Sequence, residues 1–191
     1  MSATLGPSDE GTPGTVRPAT PADADAVATL LTAAWRESFG DAVAGQLPAA
    51  DVVATSWREA LTSPAAGPAD RRPALLIAIG GTPAGGSEVA GLLAHRPSDD
   101  PDADPQSTSL IGELAIAPDQ RGRGHASRLL AAWADTARAS GYSEGAIWIP
   151  SDAEALRQLL LECGWAPDSA YRNLETDAGT PLTVVRLVTT L

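Results

Sequence analysis

The stretch "ELAIAPDQRGRGHASRLL", Glu113 to Leu130, constrains this chain more than any other. An apolar run stops at a proline, an Arg- and Gly-dense loop follows, and a helical pattern opens at once. Strand, glycine loop and helix start in that order gather unpaired backbone N–H groups and the positive end of a helix in one place. Such a joint binds anions. Gly122 and Gly124 let the backbone approach a ligand closely and take positive φ. Arg121, Arg123 and Arg128 add positive charge to a chain whose formal net charge is −11. A phosphorylated cofactor is the expected ligand. A Walker loop needs a Gly-Lys pair, and the chain has no lysine. A dinucleotide fingerprint needs a third glycine where Ser127 stands.

Along the rest of the chain, apolar period and turn residues mark alternating elements. Residues 1–14, rich in Gly, Pro, Ser and Thr, are expected to be a disordered tail ahead of one domain over 15–191. A short strand over 15–20 leads into a helix over 21–38. Thr20, Pro21 and Asp23 serve as its N-cap, first residue and N3 acid, and Val27, Leu30, Leu31, Ala34 and Trp35 form its apolar face. A second helix over 50–62 carries Val53, Trp57, Ala60 and Leu61 on one side. Segments 74–80 and 88–96 read as a hairpin, 109–117 as a strand, and a helix from 125 buries Ala126, Leu129, Leu130, Trp133 and Ala137. A strand over 144–150 precedes a helix over 152–163, with Ser151 and Glu154 as capping box and Leu156, Leu159, Leu160 and Cys163 inward. Two last strands follow. The acidic loop "PSDDPDADPQS", 97–107, reads as solvated, because its proline spacing fits no twelve-residue calcium loop. The element order predicts an α/β (α+β) domain: a mixed, twisted sheet of about seven strands flanked by four helices.

Thirteen basic residues against 24 acidic oppose a nucleic-acid or anionic-membrane partner. One cysteine and two distant histidines offer no metal-ligand set, so no metal is expected. No apolar run approaches membrane-spanning length, and the first residues lack the basic start and apolar segment of a signal peptide. A soluble cytoplasmic protein is the expectation.

Arg121-x-x-Gly124-x-Ala126, in its strand–loop–helix setting, resembles the Q/R-x-x-G-x-G/A signature of the GNAT superfamily of N-acetyltransferases. "LLLECGW" followed by Ala-Pro is similar to the way that family ends its fourth helix, and the element order carries the resemblance over 15–191. The resemblance implies acetyl-CoA or another acyl-CoA as cosubstrate. It implies transfer to a primary amine of a small molecule or peptide by direct attack in a ternary complex. By match of position, the amides of Gly122, Arg123, Gly124, His125, Ala126 and Ser127 would cradle the pyrophosphate, with Arg121 beside it. The backbone of Leu114, Ala115 and Ile116 would pair with the pantetheine arm where the fourth and fifth strands splay apart. A homodimer is an expectation of the same kind.

Glu113, mid-strand beside that cleft, is the candidate general base, removing a proton from an acceptor ammonium through water. Strand alternation puts it on the face of Ile111 and Ala115. Many relatives carry a tyrosine in the fourth helix and an asparagine at its start; here those slots hold Leu160 and Ala153. This keeps open an alternative, a non-catalytic acyl-CoA-binding or sensing module. Cys163 reads as a core residue, so no covalent enzyme intermediate is expected. Trp35, Trp57 and Trp148 read either as core or as walls of the acceptor site.

Overall fold

The computed structural model describes residues 14–39, 47–63, 73–175 and 181–191. The tail expected over 1–14 falls outside them save for Gly14. One seven-stranded sheet runs through the molecule in the order β1-β2-β3-β4-β5-β7-β6. The strands are β1 (Val16–Pro18), β2 (Ala74–Gly81), β3 (Ser87–Pro97), β4 (Thr108–Ile116), β5 (Glu144–Pro150), β6 (Ala166–Glu175) and β7 (Pro181–Thr190). Every neighbouring pair is antiparallel except β4 and β5. The helices are α1 (Ala24–Phe39), α2 (Ala50–Thr62), α3 (His125–Ala139) and α4 (Glu154–Glu162). The architecture is therefore the mixed sheet with four helices that the pattern of elements predicts. Among the described residues no helix is long and apolar enough to cross a membrane.

Local chemistry sets the entry to α1 as expected. The Asp23 carboxylate accepts from the Thr20 amide at 2.7 Å and from the Thr20 hydroxyl at 2.8 Å. Arg17 adds two further bonds of 2.9 Å from β1. In α2 the buried pair is Val53 and Ala54, while Ala60 faces solvent. Trp57 and Leu61 pack beside Val53 as expected, so of the four residues assigned to this face Ala60 is the one that leaves it.

Two apolar clusters hold the layers together. On one face, Leu129, Trp133 and Ala137 of α3 and Leu160 of α4 pack on Ile111, Ile147, Ile149 and Leu187. Trp133 stacks on Trp165, ring centroids 5.3 Å apart. Gly145 is what lets this indole reach the sheet, since a Cβ there would lie 2.2 Å from Trp133. On the other face, Val27 and Leu31 of α1 and Val53 of α2 cover Leu75, Ile77, Leu92 and Ala115.

A buried polar chain crosses the first cluster. Trp133 Nε1 donates to Ser109 Oγ at 3.2 Å, and that hydroxyl lies 3.1 Å from His95 Nδ1. Burial lowers the His95 pKa to about 4. The unfolded chain takes that proton near pH 6.5, so it binds more protons than the folded chain between 6.5 and 4, and stability rises with pH across this window. Acidification from pH 6.5 to 4 should therefore cost up to about 3 kcal/mol through this one ring. Urea unfolding should show that loss in the wild type, and the slope should flatten across the same window in His95→Gln.

Candidate active site

β4 and β5 pair only from Thr108–Ile111 to Glu144–Ile147, and then they part. Beyond the fork, Leu114 and Ile116 remain bonded to β3 on one side and have no strand on the other. A row of backbone donors and acceptors is left open in the middle of the sheet. A cleft of about 820 Å³ occupies the gap. Leu114, Ala115 and Ile116 form one lip; Pro150 and the start of α4 form the other; Ala34, Glu37 and Ser38 of α1 close one end.

The glycine loop stands at the mouth. Gly122 and Gly124 have φ of +71° and +76°, which side chains disfavour. The first intrahelical bond of α3 runs from the Arg128 amide to the Gly124 carbonyl at 3.1 Å. The amides of His125, Ala126 and Ser127 precede that bond, and Gly124 offers no side chain to cap them. A Cβ built on the exposed Gly122 would meet nothing within 4 Å, so the backbone there is open to approach.

The three arginines of this loop diverge. Arg121 makes a double bond pair to Glu37 of α1, at 2.7 and 2.5 Å, across the cleft mouth. Arg123 is not in the cleft wall; it donates to Gln120 Oε1 at 3.1 Å. Arg128 braces the loop from below, donating to the Arg123 carbonyl at 2.9 Å. His125 lines the cleft yet is buried, 3.2 Å from Arg128 at Nδ1. Burial, then Arg128 and Arg123, lower its pKa, which keeps the ring neutral. Leu114, Ala115, Ile116, Arg121, Gly122, Gly124, His125, Ala126 and Ser127 thus come together around one cavity. Gln120 and Glu37, which carry no signal in the sequence beyond their neighbourhood, complete it.

Glu113 is on the opposite face of the sheet from the core that Ile111 joins. A register shift at Ala94/His95 pairs Glu113 with Ala94 and Ile111 with His95, leaving Gly112 as a bulge. Simple alternation fails at that residue. Glu113 shares its face with Ala115 and α1, and Ile111 lies under α3. The carboxylate accepts from Trp35 Nε1 at 3.3 Å. Burial raises its pKa, against the Trp35 hydrogen bond, which lowers it.

Except at Ser98 and Asp100, which are buried, the acidic loop is largely exposed as expected. It folds back over the same sheet face, and the Asp100 side chain is wholly buried. Asp100 accepts from Trp148 Nε1 at 3.0 Å, from Arg186 at 3.1 Å and from Arg172. Arg186 in turn donates to Asp102 at 2.6 and 2.8 Å and to Asp168 at 2.7 Å. Arg172 and Arg186 lie over the Trp148 ring, 4.0 and 5.5 Å from its centre. The pKa of Asp102 falls to about 2, chiefly because Arg186 bonds to its charged form. Of the three tryptophans, Trp57 packs with the α1–α2 core, while Trp35 and Trp148 hold polar partners beside the fork.

Helix α4 corrects two expectations. It is capped at Ala153 with no side-chain bond, and the Ser151 carbonyl accepts from Arg157 at 2.7 Å in place of the expected capping box. Leu160 is fully buried in the core, as expected, while Leu156 and Leu159 line the cleft. Cys163 is exposed rather than core, and burial, with Glu162, raises its pKa. No tyrosine or cysteine is among the described residues that line the cleft. Tyr142 is buried in the core and Tyr171 is exposed on β6. Among the described residues no cluster of three or more His, Cys, Asp or Glu could hold a metal ion.

The model of the Acetyltransferase (GNAT) family matches residues 33–165. Solved structures share the whole fold. A ribosomal-protein-alanine N-acetyltransferase from Brucella melitensis superposes with a TM-score of 0.68 at 18% identity, over 93% of this chain and 99% of that one. A GNAT-family acetyltransferase from Streptococcus pneumoniae gives 0.67 at 16%, over 93% and 99%. The putative acetyltransferase yncA from Salmonella typhimurium, solved with its cofactor acetyl-CoA, gives 0.65 at 19%, over 93% of each. No curated protein sequence matches.

The Asp100 network should be strongly stabilising as it stands. Asp100→Ala removes the acceptor of three donors, leaves the Trp148 N–H without its partner and strips Arg186 of one of its three carboxylates. Urea unfolding should register a loss of about 3 kcal/mol, with an altered emission from Trp148.

Proposed function

The chain belongs to the GNAT acetyltransferase family, and on that premise we propose that it transfers an acetyl group from acetyl-CoA to a primary amine of a small molecule or peptide. The observation that carries this reading is the fork. An unpaired strand edge, a glycine loop with free amides and a helix N-terminus open onto one cavity. The edge of Leu114, Ala115 and Ile116 suits an extended amide-bearing arm, as a strand edge suits an added strand. The amides from Gly122 to Ser127 suit a pyrophosphate, and the open space over Gly122 is where it would lie. Arg121 adds charge once Glu37 releases it. Acetyl-CoA supplies an activated thioester, so this chain's residues need only hold the carbonyl, orient the amine and move protons.

Glu113 takes the proton from the acceptor ammonium, through water, so that the nitrogen carries a lone pair when it meets the carbonyl. Its raised pKa brings it closer to neutrality than an ordinary carboxylate and makes it a better base. A backbone amide of the Leu114–Ile116 edge polarises the carbonyl. The C–N bond forms as the C–S bond breaks, and the second amine proton leaves to the thiolate through solvent. CoA's thiol resembles a free cysteine, with pKa about 8.5, so the thiolate is a tolerable leaving group without an enzymic acid. Cys163 is outside the cleft wall and its thiol is held protonated, which supports direct attack over a covalent relay. The second reading, an acyl-CoA-binding or sensing module, draws on the absence of a tyrosine from the lining residues.

Acetyl-CoA should raise the melting temperature, and Gly124→Glu should abolish that shift by placing a carboxylate against the pyrophosphate. An undiminished shift in the variant would remove the site from this loop. Thiol release across a panel of amines separates enzyme from sensor, since a sensor gives the thermal shift and no thiol. With an accepted amine, kcat/KM should fall as pH drops through the raised pKa of Glu113. Glu113→Gln should lose most at neutral pH and least at high pH, where the amine is already neutral. A constant factor at every pH would mean that Glu113 is structural.

A further inference from the structure

Across the fork from Glu113 stands a charged group that the reaction above does not use. Arg172 projects from the edge strand β6 over Trp148, its guanidinium carbon 4.0 Å from the ring centre. One of its nitrogens donates to the buried Asp100. Stack and ion pair fix the guanidinium by a face and an edge, yet 44% of the side chain stays exposed. Among the described residues it has no other hydrogen-bond partner. A guanidinium immobilised in this way has already lost its rotamer freedom and still presents N–H donors outward.

Its position is set by register. Arg172 is opposite Val184, Val184 is opposite Pro150, and Pro150 lines the cleft. Trp148 follows Ile147, the last β5 residue to pair with β4, just as Gly112 follows Ile111. Trp148 alternates with Ile147 and Ile149, which lie under α3 and α4, so it projects from the same face as Glu113. Gly112 is exposed, and a Cβ built there would meet nothing within 4 Å, so this face is open at the fork. This face thus carries a carboxylate on β4 and, stacked on Trp148 of β5, a fixed guanidinium that reaches over from β6.

We propose, on top of the acetyl-transfer reading, that the amine acceptor also carries a carboxylate, and that Arg172 receives it while the amine faces Glu113. The planar guanidinium fork matches a carboxylate in shape as well as charge. Asp100 does not consume Arg172, because the same carboxylate is shared with Arg186 and Trp148. Asp99 and Asp102 also act on this guanidinium and the chain's overall charge is −11, so an anionic group must be held by direct contact. Salt screens that field beyond about 8 Å, while the guanidinium acts in contact.

Matched pairs test this by thiol release from acetyl-CoA: leucine against leucinamide, phenylalanine against phenylalaninamide, 4-aminobutyrate against 4-aminobutyramide. In the α-amino pairs the amide holds the amine that deprotonates more easily, so intrinsic reactivity at neutral pH favours the amide. A higher kcat/KM for the acids is the expected result. Arg172→Gln should then lower the acid-to-amide ratio by about tenfold to a hundredfold, the worth of a charge-assisted hydrogen bond, mainly through KM. Two outcomes overturn the proposal: equal use of acid and amide by the wild type, or a variant that slows both by one common factor. The latter is the signature of a brace for Asp100 alone. Failure of every amine, acid or amide, to release thiol would instead overturn the acetyl-transfer reading itself.

Discussion

Beyond Ile111, β4 has a hydrogen-bonded neighbour on one side only, and an unpaired backbone edge inside a sheet is costly unless something answers it. The rest of the molecule is arranged around that edge. The loop after β4 turns back over the gap, α3 starts at its mouth, and α4 begins on its far lip. The bulge at Gly112, just where the strands separate, also rotates the following residues by one face. That rotation carries Glu113 away from the α3 core and toward α1. One irregularity in the ladder thus accounts for both the opening and the carboxylate beside it.

What the sequence made legible was local. The glycine loop, the helix start at His125 and the strand before it can be read because each depends on residues within a few positions. The entry to α1 through Thr20 and Asp23 is of the same kind. The misreadings were of three physical sorts. A bulge changes the parity of a strand without a marked residue, so Glu113 was grouped with Ile111. A short helix of nine residues leaves the facing of its end ambiguous, so Leu160 is inward as its period predicts while Cys163, at the C-cap, is exposed. Asp100 of the acidic loop read as solvated because its partners stand 48, 72 and 86 residues away, on strands whose meeting no local pattern announces.

The two halves of the sheet are also held in different ways. The β2–β4 half lies between apolar helical layers. The β5–β7–β6 half has helices on one face and, on the other, a loop fastened by ion pairs and an indole. Four residue pairs between β4 and β5 join the halves directly. The core under α3 and α4 does the remainder, with Trp133 pressed onto Gly145 and stacked on Trp165.

Both cations that fasten the Asp100 loop are guanidiniums, as is every basic side chain of the protein. An ammonium in place of either guanidinium would be a nucleophile in its own right once deprotonated. The guanidinium keeps its proton at any physiological pH and offers no lone pair on nitrogen. An activated acyl group that meets this protein's surface therefore finds no lysine amine to modify, although the charge that fastens the loop is kept.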